Sequence, residues 1–199
     1  MPFTLDAAAR KQILDFVRPL SVGIDGATNF GFVERRIRIS EDFFEKGRGT
    51  GDTAAANSDR LFLLCTFAGL PTARRITPDG RESLLLRSLH IPFEEISRLS
   101  SSLSRLASTP ASPEEMIVHD AMLLESVGAY GVTRILVAGS RERMTLAEMA
   151  REIEEKMAAT RFLTEAGRRL AADRVAFATV FARKLVEEAG EFETARTSV

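Results

Sequence analysis

Histidine and cysteine, which often serve in acid–base and metal chemistry, are scarce in this chain. Its 199 residues include two histidines and one cysteine. His119 is followed directly by Asp120, and a helix beginning at Pro113 would place both on a largely apolar face. Such a pair is able to transfer protons or contact a ligand; the alternative is an aspartate bonded to a neighbouring helix beside a half-buried histidine. Adjacent helical residues point about 100° apart, so no hydrogen bond between these two side chains is expected.

A second candidate combines two glycines with an arginine. Gly128 and Gly131 allow close backbone approach, and Arg134 follows them with a guanidinium that suits a phosphate or a carboxylate. Tyr130 adds a polar group in the same segment. The alternative is a tight helix–helix junction in which Arg134 pairs with a structural carboxylate.

Three further features are interpreted as structural. The charged run around Arg35 predicts a solvated helix face with that arginine directed inward, rather than an anion site. Cys65 lies in an apolar run and is predicted to be a buried thiol; as the only cysteine it forms no intrachain disulfide and no cysteine-based zinc site. The segment 47–59 is predicted to be a flexible loop, because its residues are small, polar and rich in glycine. A phosphate-binding loop is not favoured, because the segment lacks the Lys-Ser/Thr ending and the preceding strand of that motif.

Helices must position these residues, since no clear apolar/polar alternation over six or more residues predicts a strand. Helices are predicted over residues 7–18, 29–46, 57–70, 81–90, 92–107, 113–127, 132–138, 145–157 and 163–191, the last broken near Gly167. No linker or internal repeat divides the chain. Residues 1–199 are therefore predicted to form a single all-α domain, a helical bundle.

Two local patterns sharpen this prediction. Ser112 is a helix N-cap, followed by proline at the first helical position and by Glu115, which would complete a capping box. Paired glutamates at helix starts are expected to interact with the helix dipole or with water rather than to do acid–base work.

Near the other end of the chain, Phe177, Phe181 and Leu185 recur every four residues, which indicates core packing or, less favoured, a helix face for a homodimer.

Composition narrows the class of protein. Twenty-seven basic residues against 28 acidic residues give a formal net charge of -1. A dedicated nucleic-acid binder usually has a basic surface, so no nucleic-acid partner is expected. The N-terminal segment has no apolar signal core and no apolar run approaches the roughly 20 residues of a membrane span. The sequence thus predicts a cytoplasmic protein without a membrane partner.

Two segments resemble the HD-domain superfamily, which is named for a His-Asp metal-binding pair and is known chiefly for metal-dependent phosphohydrolases. Residues 116–139 are similar to its "DADrL-(D/E)-a-G-a-x-G-x-x-R" segment, and residues 164–188 are similar to its closing "TexGrxLAxxRhxfmxxFlxxfxxE" segment. The positions that match the first pattern are Leu124, Glu125, Gly128, Gly131 and Arg134. The resemblance extends more weakly before residue 110 and implies an all-α bundle.

This chain departs from the family at the metal ligands. The resemblance places Phe32 where the family has its first histidine, Phe67 and Ala68 close to the His-Asp pair, and Met122 at the later aspartate. If the register is shifted so that Asp120 is the ligand, a single carboxylate remains. Phenylalanine, alanine and methionine cannot replace the hydration shell of a divalent cation. We therefore expect no metal and no cofactor.

Three hypotheses of function follow from this resemblance. The first is a degenerate HD-fold protein that acts as a small-molecule-binding or regulatory module, with the ligand in the former active-site cleft. The residues expected to contact that ligand are Phe32, Arg35, Phe67, Asp120, Met122, Tyr130 and Arg134. The second is a metal-independent enzyme that reuses the cleft, with His119 and Asp120 as candidate catalytic groups, and the third is a divergent metal-dependent phosphohydrolase. A monomer and a homodimer are both compatible with the sequence.

Overall fold

The computed structural model of the protein describes residues 3–21, 30–47, 55–68, 70 and 76–197, with side chains in the last helix as far as residue 189. All regular secondary structure in these ranges is helical, which confirms the predicted all-α class. The helices are α1 (Ala7–Val17), a 3₁₀ helix (Arg18–Ser21), α2 (Phe30–Gly47), α3 (Ser58–Phe67), α4 (Arg81–Ser88), α5 (Phe93–Arg105), α6 (Pro113–Leu124), α7 (Gly128–Arg141), α8 (Leu146–Ala159) and α9 (Glu165–Thr197).

Side-chain caps fix where several helices begin. The Asp6 carboxylate accepts a hydrogen bond of 2.7 Å from the Ala9 amide at the start of α1. Asn57 caps α3 by accepting from two backbone amides at 3.0 Å each. Thr145 and Glu148 form a complete capping box at α8. These caps satisfy amide groups that have no partner within their own helix.

The chain forms two compact units, Met1–Ala121 and Met122–Val199. In the first unit α3 is the central helix, and α1, α2 and α5 pack against it. Every residue of α3 from Leu61 to Phe67 is buried, including Cys65, whose predicted burial is confirmed. The Arg10 guanidinium holds α1 to α3, since it lies 2.8 Å from Asp59 and above the ring of Phe62.

In the second unit α9 packs along both α7 and α8. Glycines permit the close contacts of α7. A Cβ atom at Gly131 would lie 2.1 Å from the carbonyl oxygen of Ser126, and one at Gly139 would lie 2.7 Å from Cγ of Met149. Gly128 adopts a φ of +72°, which side chains rarely allow. Of the two glycines in the predicted junction, Gly128 is the one that approaches another helix, since a Cβ atom there would lie 3.0 Å from Cβ of Arg174 on α9.

Several predicted boundaries are wrong, including the end of α6 at Leu124 rather than at residue 127. The helix predicted over 132–138 begins at Gly128, because the glycines form its first turn rather than a preceding turn. The predicted break near Gly167 is instead the first turn of α9, where the Gly167 amide donates to Oγ1 of Thr164. The α3 helix ends at Phe67, three residues early, with Ala68 extended.

Residues 48–54 of the predicted loop 47–59 lie outside the described residues. Among its described members, Gly47 ends α2, and Ser58 and Asp59 belong to α3. Within the described ranges no single helix is long and apolar enough to cross a membrane. Among these described helices, only α6 and α7 taken together, as a pair bent at their junction, have the length and composition of a membrane span. The single-domain organisation over 1–199 stays a prediction.

Candidate functional site

The two phenylalanines predicted at metal-ligand positions are buried in the first unit. Phe32 on α2 is 8% exposed, and Phe67 at the end of α3 is fully buried. Between these packed helices lies the side chain of Arg36, also buried, which sequence reasoning overlooked. Its Nη1 donates to the carbonyl oxygen of Ala68 and lies 3.5 Å from that of Cys65. In the charged run around Arg35, the arginine that points inward is therefore Arg36 and not the predicted Arg35, which is half-buried.

The donor set in this region does not fit a divalent cation. A cation needs oxygen or imidazole ligands, and the buried aromatic rings of Phe32 and Phe67 offer none. The guanidinium of Arg36 is always charged, so a second cation beside it would be repelled. Throughout the ranges that the structure describes, no group of three or more His, Cys, Asp or Glu side chains is arranged to hold a metal ion.

His119 and Asp120 lie on α6 and contact each other. Nδ1 of His119 is 3.2 Å from Oδ1 of Asp120, so the expectation that these neighbours do not hydrogen-bond is wrong. The fully buried carboxylate and the imidazole, which is 18% exposed, turn toward each other although their Cβ atoms diverge. A protonated Nδ1 donates to the carboxylate and leaves Nε2 as the acceptor. This is the arrangement that orients a histidine for proton transfer.

The remaining predicted residues belong to the second unit. Met122, at the end of α6, and Tyr130, on α7, are half-buried, and Arg134 on α7 is exposed. In the same unit Nη1 of Arg174 donates to the carbonyl oxygen of Leu124 at 3.2 Å, which ties α9 to the end of α6. The seven predicted ligand-binding residues thus fall in two units, with Phe32, Arg35, Phe67 and Asp120 in the first.

The first unit also contains a cavity of about 390 Å³, a size typical of small-molecule sites. It lies at the N-terminal ends of α3 and α6 and along α5. None of the predicted ligand-binding residues lines it. The lining residues are Ala55, Arg60, Leu63, Leu64, Glu95, Arg98, Leu99, Ser102, Arg105, Ser112, Pro113, Glu114 and Glu115. The wall is therefore partly leucine and partly charged.

One side of this cavity is an arginine–carboxylate fork. Nε and Nη2 of Arg60 donate to the two oxygens of Glu95 at 2.8 and 2.7 Å. These hydrogen bonds hold the pKa of Glu95 below its ordinary value. Arg98 lies more loosely, with Nη1 3.8 Å from the same carboxylate and its side chain 55% exposed. At 3.8 Å this contact is an ion pair rather than a hydrogen bond, and Arg98 is one of the residues that line the cavity.

The opposite side is built on the two glutamates that begin α6. Glu115 is 1% exposed and accepts hydrogen bonds from Arg105 at 2.5 Å, from Ser102 at 2.7 Å and from the Ala111 amide at 2.7 Å. Burial disfavours its charge, but these hydrogen bonds outweigh burial and lower the pKa of Glu115. Glu114, also buried, accepts at Oε1 from the Asn57 amide at 2.8 Å.

The predicted capping box at Ser112 is therefore only half correct. Oγ of Ser112 accepts from the Glu115 amide at 3.2 Å, as predicted. The Glu115 carboxylate, however, reaches Ala111, Ser102 and Arg105 rather than the amide of Ser112. The prediction that paired glutamates meet the helix dipole or water missed this burial, because the arginine partners lie on other helices and their spacing in the sequence carries no signal.

Comparison with known proteins supports the fold. No protein-family model and no curated protein matches the sequence. The structure is similar to Bacillus subtilis YpgQ, with a TM-score of 0.67, 18% identity, and coverage of 91% of this chain and 95% of that chain. The Lin1889 protein from Listeria innocua gives a TM-score of 0.69 and 15% identity, over 94% of this chain and 98% of that chain.

Two further structures extend this likeness. A protein from Lactobacillus plantarum has a TM-score of 0.68 and 14% identity, over 94% of this chain and 100% of that chain. A second structure of YpgQ, in complex with ADP, has a TM-score of 0.64 and 18% identity, over 91% of this chain and 95% of that chain. At these identities the likeness establishes a shared all-helical fold and nothing finer.

Proposed function

We propose that this chain is an HD-like helical protein without a metal centre that binds a small organic anion. The observation that carries the proposal is the environment of Arg36. A buried, permanently charged guanidinium bonds to the carbonyl oxygen of Ala68, where the family resemblance expects the His-Asp pair. A divalent cation in this region would lie close to that positive charge, and the buried side chains of Phe32 and Phe67 on the same two helices offer it no ligand atom.

The cavity of the first unit is the proposed ligand site. Leu63, Leu64 and Leu99 offer an apolar surface, and the guanidinium of Arg98 offers N–H donors for an acidic group. The glutamates that line the cavity already accept hydrogen bonds from the protein. The exposed Arg98 is therefore the group proposed to bind the acidic part of the ligand. The ADP complex of the structurally similar YpgQ supports an anionic organic ligand as the class to test.

The absence of a metal centre is tested by thermal unfolding with Mn²⁺, Mg²⁺ or Zn²⁺ and by metal analysis of protein purified without chelator. We expect no bound metal and no shift in the melting temperature. A native-state site at a hundredfold excess over its Kd would stabilise the protein by about 2.7 kcal/mol, which such a titration detects. A stoichiometric metal with a clear upward shift would refute the proposal and revive a metal-dependent phosphohydrolase.

The ligand site is tested with ADP as an anionic probe and adenosine as its neutral counterpart, by isothermal titration calorimetry. We expect ADP to bind and Arg98→Ala to weaken that binding about tenfold, the effect of losing one charged hydrogen bond. Arg87→Ala removes an exposed arginine of α4 outside the cavity and should leave the Kd unchanged. Loss of binding in Arg134→Ala alone would instead support the predicted cleft residues, and no binding of ADP to the wild type would reject this ligand class.

A metal-independent enzyme is the second candidate, and the His119–Asp120 hydrogen bond favours it. The oriented imidazole would act as a general base or acid through Nε2. Hydrolysis of phosphate and carboxylate esters, measured in the presence of EDTA, would fall in His119→Ala while thermal stability stays close to that of the wild type. No hydrolysis in the wild type, or equal rates in both proteins, would exclude this role for the tested esters.

A further inference from the structure

The last helix buries several of its small residues, whereas Phe177, Val180 and Val186 are exposed. Gly167, Ala171, Ala178 and Ala182 of α9 are buried in the second unit, on the side that packs along α7 and α8. By contrast, Phe177 is 48% exposed and Val180 is 60% exposed. Burial of large apolar side chains stabilises helix packing, and the exposed side chains of Phe177 and Val180 do not make this contribution within the chain. The favoured prediction of core packing for the phenylalanine stripe is therefore wrong for Phe177.

The exposed residues follow the spacing of a helix–helix seam. Asp173, Phe177, Val180 and Lys184 are separated by four, three and four residues, and all four are exposed. This alternation keeps side chains on one narrow stripe of a helix, roughly opposite the buried alanines. We call these four residues the α9 seam. Beside it, the rings of Phe177 and Phe181 stack with their centroids 6.3 Å apart, which widens the apolar centre.

We propose that the α9 seam is the interface of a homodimer in which two copies of α9 pack antiparallel. Charge complementarity favours a second copy of this chain as the partner, and an antiparallel direction for the two helices. In an antiparallel pair centred between residues 178 and 179, Phe177 meets Val180 of the partner subunit, and Asp173 meets Lys184 of the partner subunit. The two-fold axis repeats both contacts. A parallel pair would place the aspartates, and likewise the lysines, against each other.

The register extends beyond the four central residues. The same pairing brings Arg169 opposite Glu188 of the partner subunit, which adds a second complementary charge pair on each side. Lys184 already lies 2.8 Å from Glu187 on its own helix, and both side chains are more than half exposed. The dimer would share this lysine between Glu187 and Asp173 of the partner subunit. The apolar centre is small, so the expected dimer is reversible and concentration-dependent.

Sedimentation equilibrium from about 5 to about 500 µM protein tests the interface, the range in which small interfaces associate. We expect the wild type to dimerise. Val180→Glu places a charge at the centre of the seam and should weaken dimerisation at least about tenfold. Val186→Glu is the matched control: Val186 is 47% exposed on the same helix but lies away from the seam, so dimerisation should persist. Circular dichroism would verify that both variants stay folded.

A charge exchange tests the register itself. Asp173→Lys and Lys184→Asp each create a like-charge contact and should each weaken the dimer, whereas the double variant restores the pair in reverse and should regain association. A wild type that is monomeric at every concentration would overturn the proposal. So would equal effects of Val180→Glu and Val186→Glu, or a double variant no better than the single ones. None of these results depends on whether the cavity of the first unit binds ADP.

Discussion

Glu115 shows how a single charged residue comes to be buried at the start of a helix. The N-terminus of α6 favours a negative charge, and three donors from α5 and the preceding turn complete its hydrogen bonds. The position at a helix start was visible in the sequence. Its burial was not, because Ser102 and Arg105 approach only once α5 and α6 have packed. The same limit applied to Arg36, whose carbonyl partners lie at the end of α3.

Glu115→Gln should reduce the free energy of unfolding at pH 7 by about 1–3 kcal/mol, the range for a buried charged hydrogen bond. Because the folded-state pKa of Glu115 is lowered, its charge stabilises the fold above the ordinary value of 4.5, and that stabilisation is lost as the pH falls through the folded-state pKa. The difference between wild type and variant should therefore shrink in acid. Urea unfolding at several pH values measures it, and a difference independent of pH would contradict this role.

Gly131→Ala should destabilise the second unit by about 2–4 kcal/mol, because the new Cβ would collide with the backbone of Ser126. Gly139→Ala on the same helix is the comparison. Its Cβ would meet the flexible side chain of Met149, which can move, and alanine favours the helix, so the loss should be smaller. Denaturant unfolding of both variants gives the order. Equal losses of unfolding free energy in the two variants would contradict this order and would mean that the backbone at Ser126 can also move to accommodate the new Cβ.

At the scale of elements, the helices themselves were the most predictable part of the molecule. Asp6, Asn57 and Thr145 begin helices close to where the sequence predicts them, because capping is a local interaction. Gly128 and Gly167 misled the prediction, since glycine marks a turn in one context and the first turn of a packed helix in another. At Gly128 the context is set by a tertiary contact, since a Cβ atom there would lie 3.0 Å from Cβ of Arg174 on α9. At Gly167 it is set locally, because the amide donates to Oγ1 of Thr164 three residues earlier.

Thr145→Ala should cost about 1 kcal/mol of stability through loss of the capping box at α8, whereas Thr145→Ser should retain most of it. Both residues of the box are exposed, so no cavity forms and the effect reports on helix initiation alone. Thermal or urea unfolding measures the difference. A serine variant as unstable as the alanine variant would show that the threonine methyl group, not the hydroxyl, stabilises this turn.

For the whole molecule, the all-helical class followed from the sequence, and similar solved structures confirm it. The place of a ligand did not follow. The predicted residues rest on a resemblance to a metal site, whereas the cavity of the first unit lies where α3, α5 and α6 leave space beside paired charges such as Arg60 and Glu95. The size of such a cavity depends on the distances between packed helices, which residue types do not specify. In the sequence, the charged residues that line the cavity look like ordinary surface residues.

The single cysteine gives a global test of this packing. Cys65 is fully buried in the central helix of the first unit, so its thiol should not react with a disulfide reagent under native conditions. In denaturant one thiol per chain should react. The labelling rate as a function of denaturant then reports the opening of α3. Rapid stoichiometric labelling of the native protein would contradict the burial of this helix.

Arg36 also bears on how readily this sequence could drift toward metal binding. Phe32 lies one turn before Arg36 on the same face of α2, so a histidine introduced there would face a charge that is never lost. Removing the arginine first would leave the carbonyl oxygens of Cys65 and Ala68 without their buried donor. Substitution of Phe32 by histidine, or removal of the Arg36 side chain, is therefore expected to be unfavourable when made alone.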